Sequence, residues 1–301
     1  MNTTTVPIVF FDWWAHGLIA SFCVTGFLLV NQHFRMRAST LLLWRGFGVA
    51  IAFAPLALAV PWPTNPVFYM ATGTAGVIAT FFDKYIIESS GRFGAGVTSR
   101  LLSLGVWVTF FMYLLINPEH AEQLMAHPQK TAGIFGAMLL GVGAVFFLRN
   151  DALSKQAIVF LAPALALVGF IDLINKLAMN ASENPLSGAF VYGFLTSLTI
   201  GVGTVIRRRF FEEKRLDFKQ CFAKEVFWGG VLMVVFMTVA MINKNIAMFF
   251  TPNPAYVGIL ALSSPLWIVF YNKWVGHEDK TNVWAGFLFV LSAILLIILT
   301  R

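Results

Sequence analysis

The sequence predicts an all-α polytopic membrane protein, with ten transmembrane helices arranged as two inverted five-helix repeats. Three observations carry that expectation. Hydrophobic residues make up 58% of the 301 and charged residues 12%, against about 25% charged in a soluble domain, and the mean hydropathy is +0.76. Apolar runs recur at lengths beyond the roughly 18 residues that mark a membrane span. The two halves of the chain also resemble each other.

In chain order the apolar segments fall at 10–30, 41–60, 67–87, 94–116, 131–148, 157–176, 186–206, 226–247, 254–273 and 282–300. A backbone in lipid must satisfy its own hydrogen bonds, so runs of this length are helices; the alternating pattern of a membrane barrel is absent. No basic segment precedes the first run and no small-residue cleavage site follows it, which predicts a retained helix rather than a signal peptide. Connections are short and punctuated by Pro and Asn, as in "VPWPTNP" (60–66), "NPEHAEQLMAHPQK" (117–130) and "TPNP" (251–254). The one long polar connection is "RRRFFEEKRLDFKQCFAKE" (207–225). There is no low-complexity stretch and no room for a soluble domain.

The net charge is +7, and its distribution is lopsided. Arg35, Arg37, Arg92, Arg149, Lys155, Lys273, Lys280 and the cluster from Arg207 to Lys224 follow odd-numbered segments. After even-numbered segments, Lys130 is the one clear loop cation. The positive-inside rule then puts the odd loops in the cytoplasm and both termini on the other side of a membrane, expected to be the bacterial cytoplasmic (inner) membrane. The charge is an orientation signal, so no nucleic-acid partner is expected. Lipid is, along 207–225, where Phe210, Phe211, Phe218 and Phe222 accompany the basic residues. Cys23 and Cys221 form neither a disulfide framework nor a metal cluster. "GAMLLGVG" (136–143) has phosphate-loop glycine spacing without the lysine, and His120 and His127, beside Glu119 and Glu122, fit no standard metal spacing. The expectation is a protein that is not an enzyme and takes no cofactor or metal.

Shifting the chain by 160 lays 81–111 on 241–271. Lys84 meets Lys244, Ile86 meets Ile246, Val97 meets Val257, Ser103 meets Ser263 and Trp107 meets Trp267. A second match, "KTAGIFG" (130–136) over "KTNVWAG" (280–286), needs a shift of 150, the difference falling in the 117–130 connection. The halves are therefore 1–150 and 151–301, integrated in one membrane domain. Five segments per half is odd, so the halves insert in opposite senses, the architecture of many secondary transporters.

The residues Lys244, Ala255, Ser264–Pro265, Glu278 and Gly286 resemble the signature of the drug/metabolite transporter superfamily, in its EamA-type ten-helix branch. Lys84, Ala95, Ser103, Glu119 and Gly136 match it in the first half. The resemblance spans nearly the whole chain and implies a carrier with a central cavity between the halves. It does not imply a substrate. Gly105 stands where the second half has Pro265, which predicts a straighter fourth segment than ninth. Members of this branch are often drawn with cytoplasmic termini, against the charge pattern here.

Ionisable groups at membrane depth are costly and mark a pathway or a partner. Lys244, in "MINKNIAMFF" (241–250), stands near the end of the eighth segment, where a long cation snorkels to the interface; Lys84 closes the third in the same way. A place on the solute pathway is the alternative for both. Arg100, Ser103 and Trp107 share one helix face at i, i+3 and i+7. Arg100 either clamps a carboxylate or phosphate or pairs with Asp83 or Glu88. Asp172, in "FIDLINKLAM", either carries a coupling proton, since desolvation favours its neutral form, or pairs with Lys176 at i, i+4, with Asn175 beside it. Arg45 lies a turn from the cytoplasmic edge and is expected to snorkel, with ligand binding the alternative. Trp13 and Trp14 mark an interfacial belt, with an aromatic gate the alternative; His16, just inside it, is a structural histidine or a titrating one. Tyr192 and Tyr271 are candidate cavity residues. Gly133, Ala137 and Gly141 form a small-residue ladder that lets helices approach closely, within the chain or in a homodimer.

Cations at depth (Arg45, Lys84, Arg100, Lys176, Lys244) outnumber carboxylates (Asp83, Glu88, Asp172). The expected cargo is therefore a small solute with an anionic group, such as an amino acid. Arg100 would hold the anion, Asp172 a proton or ammonium, and Trp107 and Trp267 would wall the cavity. Two other readings stand beside it: an exporter of aromatic organic cations using Asp172, and a non-transporting membrane scaffold or lipid-binding assembly partner.

Overall fold

The computed structural model describes residues 12–34, 36–147, 154–211, 221–276 and 282–300. Arg35, Arg149, His277, Glu278, Lys280 and residues 212–220 of the basic connection lie outside them. Among the described residues every regular element is a helix. In chain order these are α1 (Trp13–Phe34), α2 (Ala38–Leu43), a π-helical turn (Trp44–Gly48), α3 (Val49–Leu58), α4 (Pro66–Phe93), α5 (Ala95–Leu102), α6 (Gly105–Ile116), α7 (Pro118–Ala126), α8 (Pro128–Phe147), α9 (Lys155–Asn180), α10 (Pro185–Phe211), α11 (Lys224–Phe250), α12 (Pro254–Ala261), α13 (Ser264–Trp274) and α14 (Val283–Thr300). Among the described residues eight spans are long and apolar enough to cross a membrane: α1, the α2–α3 run, the α5–α6 run, α8, α9, α10, α11 and the α12–α13 run. The chain is a multi-pass membrane protein.

Four of the helices open on the same dipeptide. Asn65, Asn117, Asn184 and Asn253 each precede a proline, and each side-chain oxygen accepts a backbone N–H of the first turn, from Val67, His120, Leu186 and Ala255. Proline in the first turn loses no hydrogen bond, because that N–H has no helical partner, and the asparagine oxygen satisfies one of the remaining orphan donors. Each such cap stabilises its helix by about 1 kcal/mol. The loop punctuation therefore fixes where four helices begin. α7 was not foreseen: it forms inside the polar 117–130 connection, where no apolar run signals it. α4 continues past its expected end at 87 to Phe93, and stops at Gly94, whose φ of +89° favours glycine.

The helices pack in a reciprocal arrangement. α1 lies along α11 and α4 along α9; α10 contacts α4, while α11 contacts the α2–α3 run. α5 and α6 pack on α9, while α12 and α13 pack on α1. The α2–α3 run meets α10, α6 meets α12, and α8 meets α14. With the long segments of each half numbered in chain order, these neighbour relations are unchanged when the halves are exchanged.

Several close crossings depend on small residues. A Cβ at Gly46 would lie 2.4 Å from the Gly201 backbone, so the π turn and α10 meet main chain to main chain. Gly105 admits Val168 of α9: a Cβ there would fall 2.0 Å from Val168 Cγ1. The Gly133–Ala137–Gly141 ladder is filled from within the chain, since Leu299 and Ser292 of α14 face Gly133 and Gly141 and Ser292 Oγ donates to the Ala137 carbonyl at 2.6 Å.

The expectation that Gly105 leaves the fourth segment straighter than the ninth does not hold. Both break at corresponding places, between α5 and α6 and between α12 and α13. Leu104 N–H bonds back to Leu101 and Ser263 N–H to Leu260, three residues rather than four, at 3.1 and 3.0 Å. A short 3₁₀-type step of this kind interrupts the ladder without a proline.

Candidate solute cavity

A cavity of about 230 Å³ lies at the centre of the bundle, with α1, the π turn, α4, α5, α6, α9, α10, α11, α12 and α13 all contributing to its wall. Most of the lining is apolar, from Phe27, Phe82, Ile86, Val168, Ile171 and Met237 among others. Among the described residues four charged ones line it: Arg45, Asp83, Asp172 and Lys244. They form two ion pairs. Arg45 Nε lies 3.2 Å from Asp83 Oδ2, with side chains 5% and 11% exposed, and Arg45 Nη1 donates to Ser197 Oγ at 3.0 Å. Lys244 Nζ donates to Asp172 Oδ1 at 2.6 Å, with side chains 34% and 9% exposed. Tyr192, buried, sits within electrostatic reach of Asp172, Arg45 and Asp83, and the Lys244 charge reaches Asp83.

Each pair joins two helices, and each carboxylate is neutralised where desolvation would otherwise be prohibitive. The pairs are not equivalent. Arg45–Asp83 is closed off, a structural link between the π turn and α4. Lys244 is the most accessible of the four charges. One turn along α9 from Asp172, Asn175 is 3% exposed, lines the cavity and keeps its side-chain oxygen without a hydrogen-bond donor. A buried acceptor left open costs stability.

Several sequence readings change here. Lys244 does not snorkel: α11 runs on to Phe250, and the ammonium turns inward to Asp172. Asp172 does not pair with Lys176. Lys176 Nζ instead donates to the carbonyls of Met248, Phe249 and Thr251 at 2.8, 3.3 and 2.7 Å, a cation on the carbonyls at the end of α11, where the helix dipole favours it. On the other half Asn31 donates to the Ile87 carbonyl near the end of α4. Arg45 does not snorkel either; it is 4% exposed. Lys84 and Arg92 lie 3.9 and 3.7 Å from Glu88 on the surface of α4.

Of the residues singled out by sequence, Ser103, Asp172, Lys244 and Tyr192 line the cavity. Arg100, Trp107, Trp267 and Lys84 are not among its lining. Arg100 is 1% exposed and donates from Nε to the Gly96 carbonyl at 3.3 Å. Trp107 stacks on Phe111 and Phe135; Trp267 meets Phe22 edge-on and donates to Ser263 Oγ at 3.1 Å. Trp13 is buried against Tyr256, and Trp14 donates to Asp12 at 3.0 Å. His16 Nδ1 is 2.8 Å from Asn243 Oδ1, which ties α1 to α11. The sequence reading missed Arg45–Asp83 as a cavity pair, and Asn175 as an open acceptor. A carboxylate and a cation at matching depth were the available signal.

The sequence matches no protein-family model, and no curated protein aligns with it.

Proposed function

We propose that this chain is a secondary transporter of the drug/metabolite transporter superfamily, EamA-type, with ten transmembrane helices in two inverted halves, 1–150 and 151–301. It moves a small polar metabolite with an anionic group, such as an amino acid, across the bacterial inner membrane by alternating access. The observation that carries this reading is the central cavity, which holds the accessible Lys244–Asp172 pair between halves whose neighbour relations are interchangeable. The repeat in the sequence and the corresponding breaks in the α5–α6 and α12–α13 runs support the two halves as the moving bodies.

The charges support a particular division of roles. The lining carries two cations and two carboxylates, so the cation excess counted along the sequence is not a property of the cavity. Lys244 is therefore the anion-binding group in this reading, in place of Arg100. Asp172, released when a solute takes Lys244, handles a proton or the solute's ammonium. A protonatable carboxylate at that point supplies the coupling.

The apolar majority of the lining, with Asp172 and Asp83, favours a second reading as an exporter of aromatic organic cations. Uptake into proteoliposomes of labelled amino acids, organic phosphates and quaternary amines separates the two. The first reading expects uptake of anionic or zwitterionic solutes, abolished by Lys244→Gln. Transport of quaternary amines alone, retained in Lys244→Gln and lost in Asp172→Asn, would select the second.

A further inference from the structure

Ser21 of α1 faces the break between α12 and α13, where several oxygens meet. Pro265 has no N–H to give the Ala261 carbonyl, which stands one helical turn before it. Ser21 Oγ, from another helix, donates to that carbonyl at 3.2 Å. Ser263 Oγ and Ser264 Oγ lie 2.7 and 3.2 Å from Ser21 Oγ. All three serines are buried, and Ser21, Ala261 and Ser264 line the central cavity.

The cluster has fewer protons than contacts. A hydroxyl carries one proton and two lone pairs. Ser21 gives its proton to the Ala261 carbonyl, Ser263 reaches the Leu260 carbonyl at 2.8 Å, and Ser264 reaches the Ser21 carbonyl at 3.3 Å. With each proton on a carbonyl, none remains between Ser21 Oγ and either neighbouring hydroxyl, and their lone pairs converge. Packing alone does not call for this arrangement. At the equivalent interface of the other half, where α9 meets the α5–α6 break, Val168 fills the space over Gly105.

We propose that the cluster binds a sodium ion, held by Ser21 Oγ, Ser263 Oγ, Ser264 Oγ and the Ala261 carbonyl. Hard cations take oxygen ligands, and a divalent one, costlier to strip of water, would be met by carboxylates. These four oxygens are uncharged, which suits a monovalent ion, and their close spacing suits sodium better than the larger potassium. Carbonyls freed at a helix break coordinate sodium in carriers. Because Ser21, Ala261 and Ser264 line the cavity, the ion is within reach of a solute carboxylate. Its use in coupling rests on the transport reading; its binding does not.

Thermal unfolding of the purified protein without solute, in sodium, potassium or choline chloride at one ionic strength, tests the site. Sodium raises the unfolding temperature with a saturable dose dependence, and potassium and choline do not. Ser21→Ala lowers the sodium affinity by about tenfold or more, the scale on which losing even an outer partner acts on a metal site. Thr74→Ala, on an exposed face of α4, leaves it unchanged. Radioactive sodium bound to the wild type, displaced by unlabelled sodium and not by potassium, gives the same reading without a variant. A sodium response no different from that of potassium, or one kept in full by Ser21→Ala, would overturn the proposal. Sodium binding in a protein that transports no solute would keep the site and remove the transport reading instead.

Discussion

Lys244 Nζ lies 2.6 Å from Asp172 Oδ1 and joins α11 to α9 across the central cavity. The lysine is the more exposed partner, so a solute anion can take it without dismantling the helix packing beneath. Asp172→Asn and Lys244→Gln should each reduce uptake at least about tenfold per folded molecule, since truncating one partner of such a charge pair costs about 2–5 kcal/mol. The double variant should regain thermal stability and not uptake. Normal transport by Lys244→Gln, measured in proteoliposomes, would remove Lys244 from the pathway.

Arg45 and Asp83 form the enclosed pair, and their contribution is to structure. Asp83→Asn leaves a buried guanidinium without its counter-charge and should destabilise by about 3 kcal/mol. Replacing both by apolar residues, Arg45→Met with Asp83→Leu, should recover most of that loss. Thermal unfolding in detergent measures it. A double variant no more stable than Asp83→Asn would show that the pair does more than neutralise itself.

Gly46 and Gly201 meet backbone to backbone, so Gly46→Ala has no flexible neighbour to displace. It should destabilise by about 1–3 kcal/mol through overpacking. Gly73→Ala, where an added Cβ meets nothing within 4 Å, serves as the control and should be close to neutral. Equal behaviour of the two in thermal unfolding would contradict the crossing described here.

Hydropathy made the long apolar helices legible, because the length of an apolar run and the cost of unsatisfied backbone in lipid are local properties. The Asn–Pro dipeptides were legible only as loop punctuation; that they open four helices, α7 among them, is a matter of local capping that hydropathy does not report. The cavity was less legible. Lys84 and Lys244 occupy the same place in the repeat, yet one lies beside Glu88 on the outside and the other turns inward to Asp172. A repeat fixes position along a helix and not the face that a neighbouring helix covers. Arg45 was read as an edge residue because hydropathy gives depth alone; its partner Asp83 lies on another helix. Trp107 and Trp267 share a sequence position and pack among phenylalanines, where aromatic content gave no means of separating core from cavity.

His120 opens a view of the connecting region. Its ring meets Tyr113 edge-on at 5.5 Å, and burial, with the Lys176 charge adding to it, holds its pKa below the ordinary 6.5. An unfolded His120 therefore binds a proton at a pH where the folded one does not. By linkage, its contribution to stability is complete above about 6.5 and falls as the pH drops from there through the lower folded value. Thermal unfolding followed from about pH 8 to about pH 5, the range in which histidine changes charge, should fall more steeply for the wild type than for His120→Gln. Parallel curves would remove His120 as the source.

The central claim, that the cavity binds a solute through Lys244 and Asp172, is tested most directly by thermal stability of the purified protein against amino acids, organic phosphates and quaternary amines. A ligand that binds the folded state alone stabilises it by about 2.7 kcal/mol at a hundred times its dissociation constant. The account predicts a raised unfolding temperature with an anionic or zwitterionic solute, lost in both Lys244→Gln and Asp172→Asn and kept in Arg209→Gln. Stabilisation that survives in both cavity variants would contradict it.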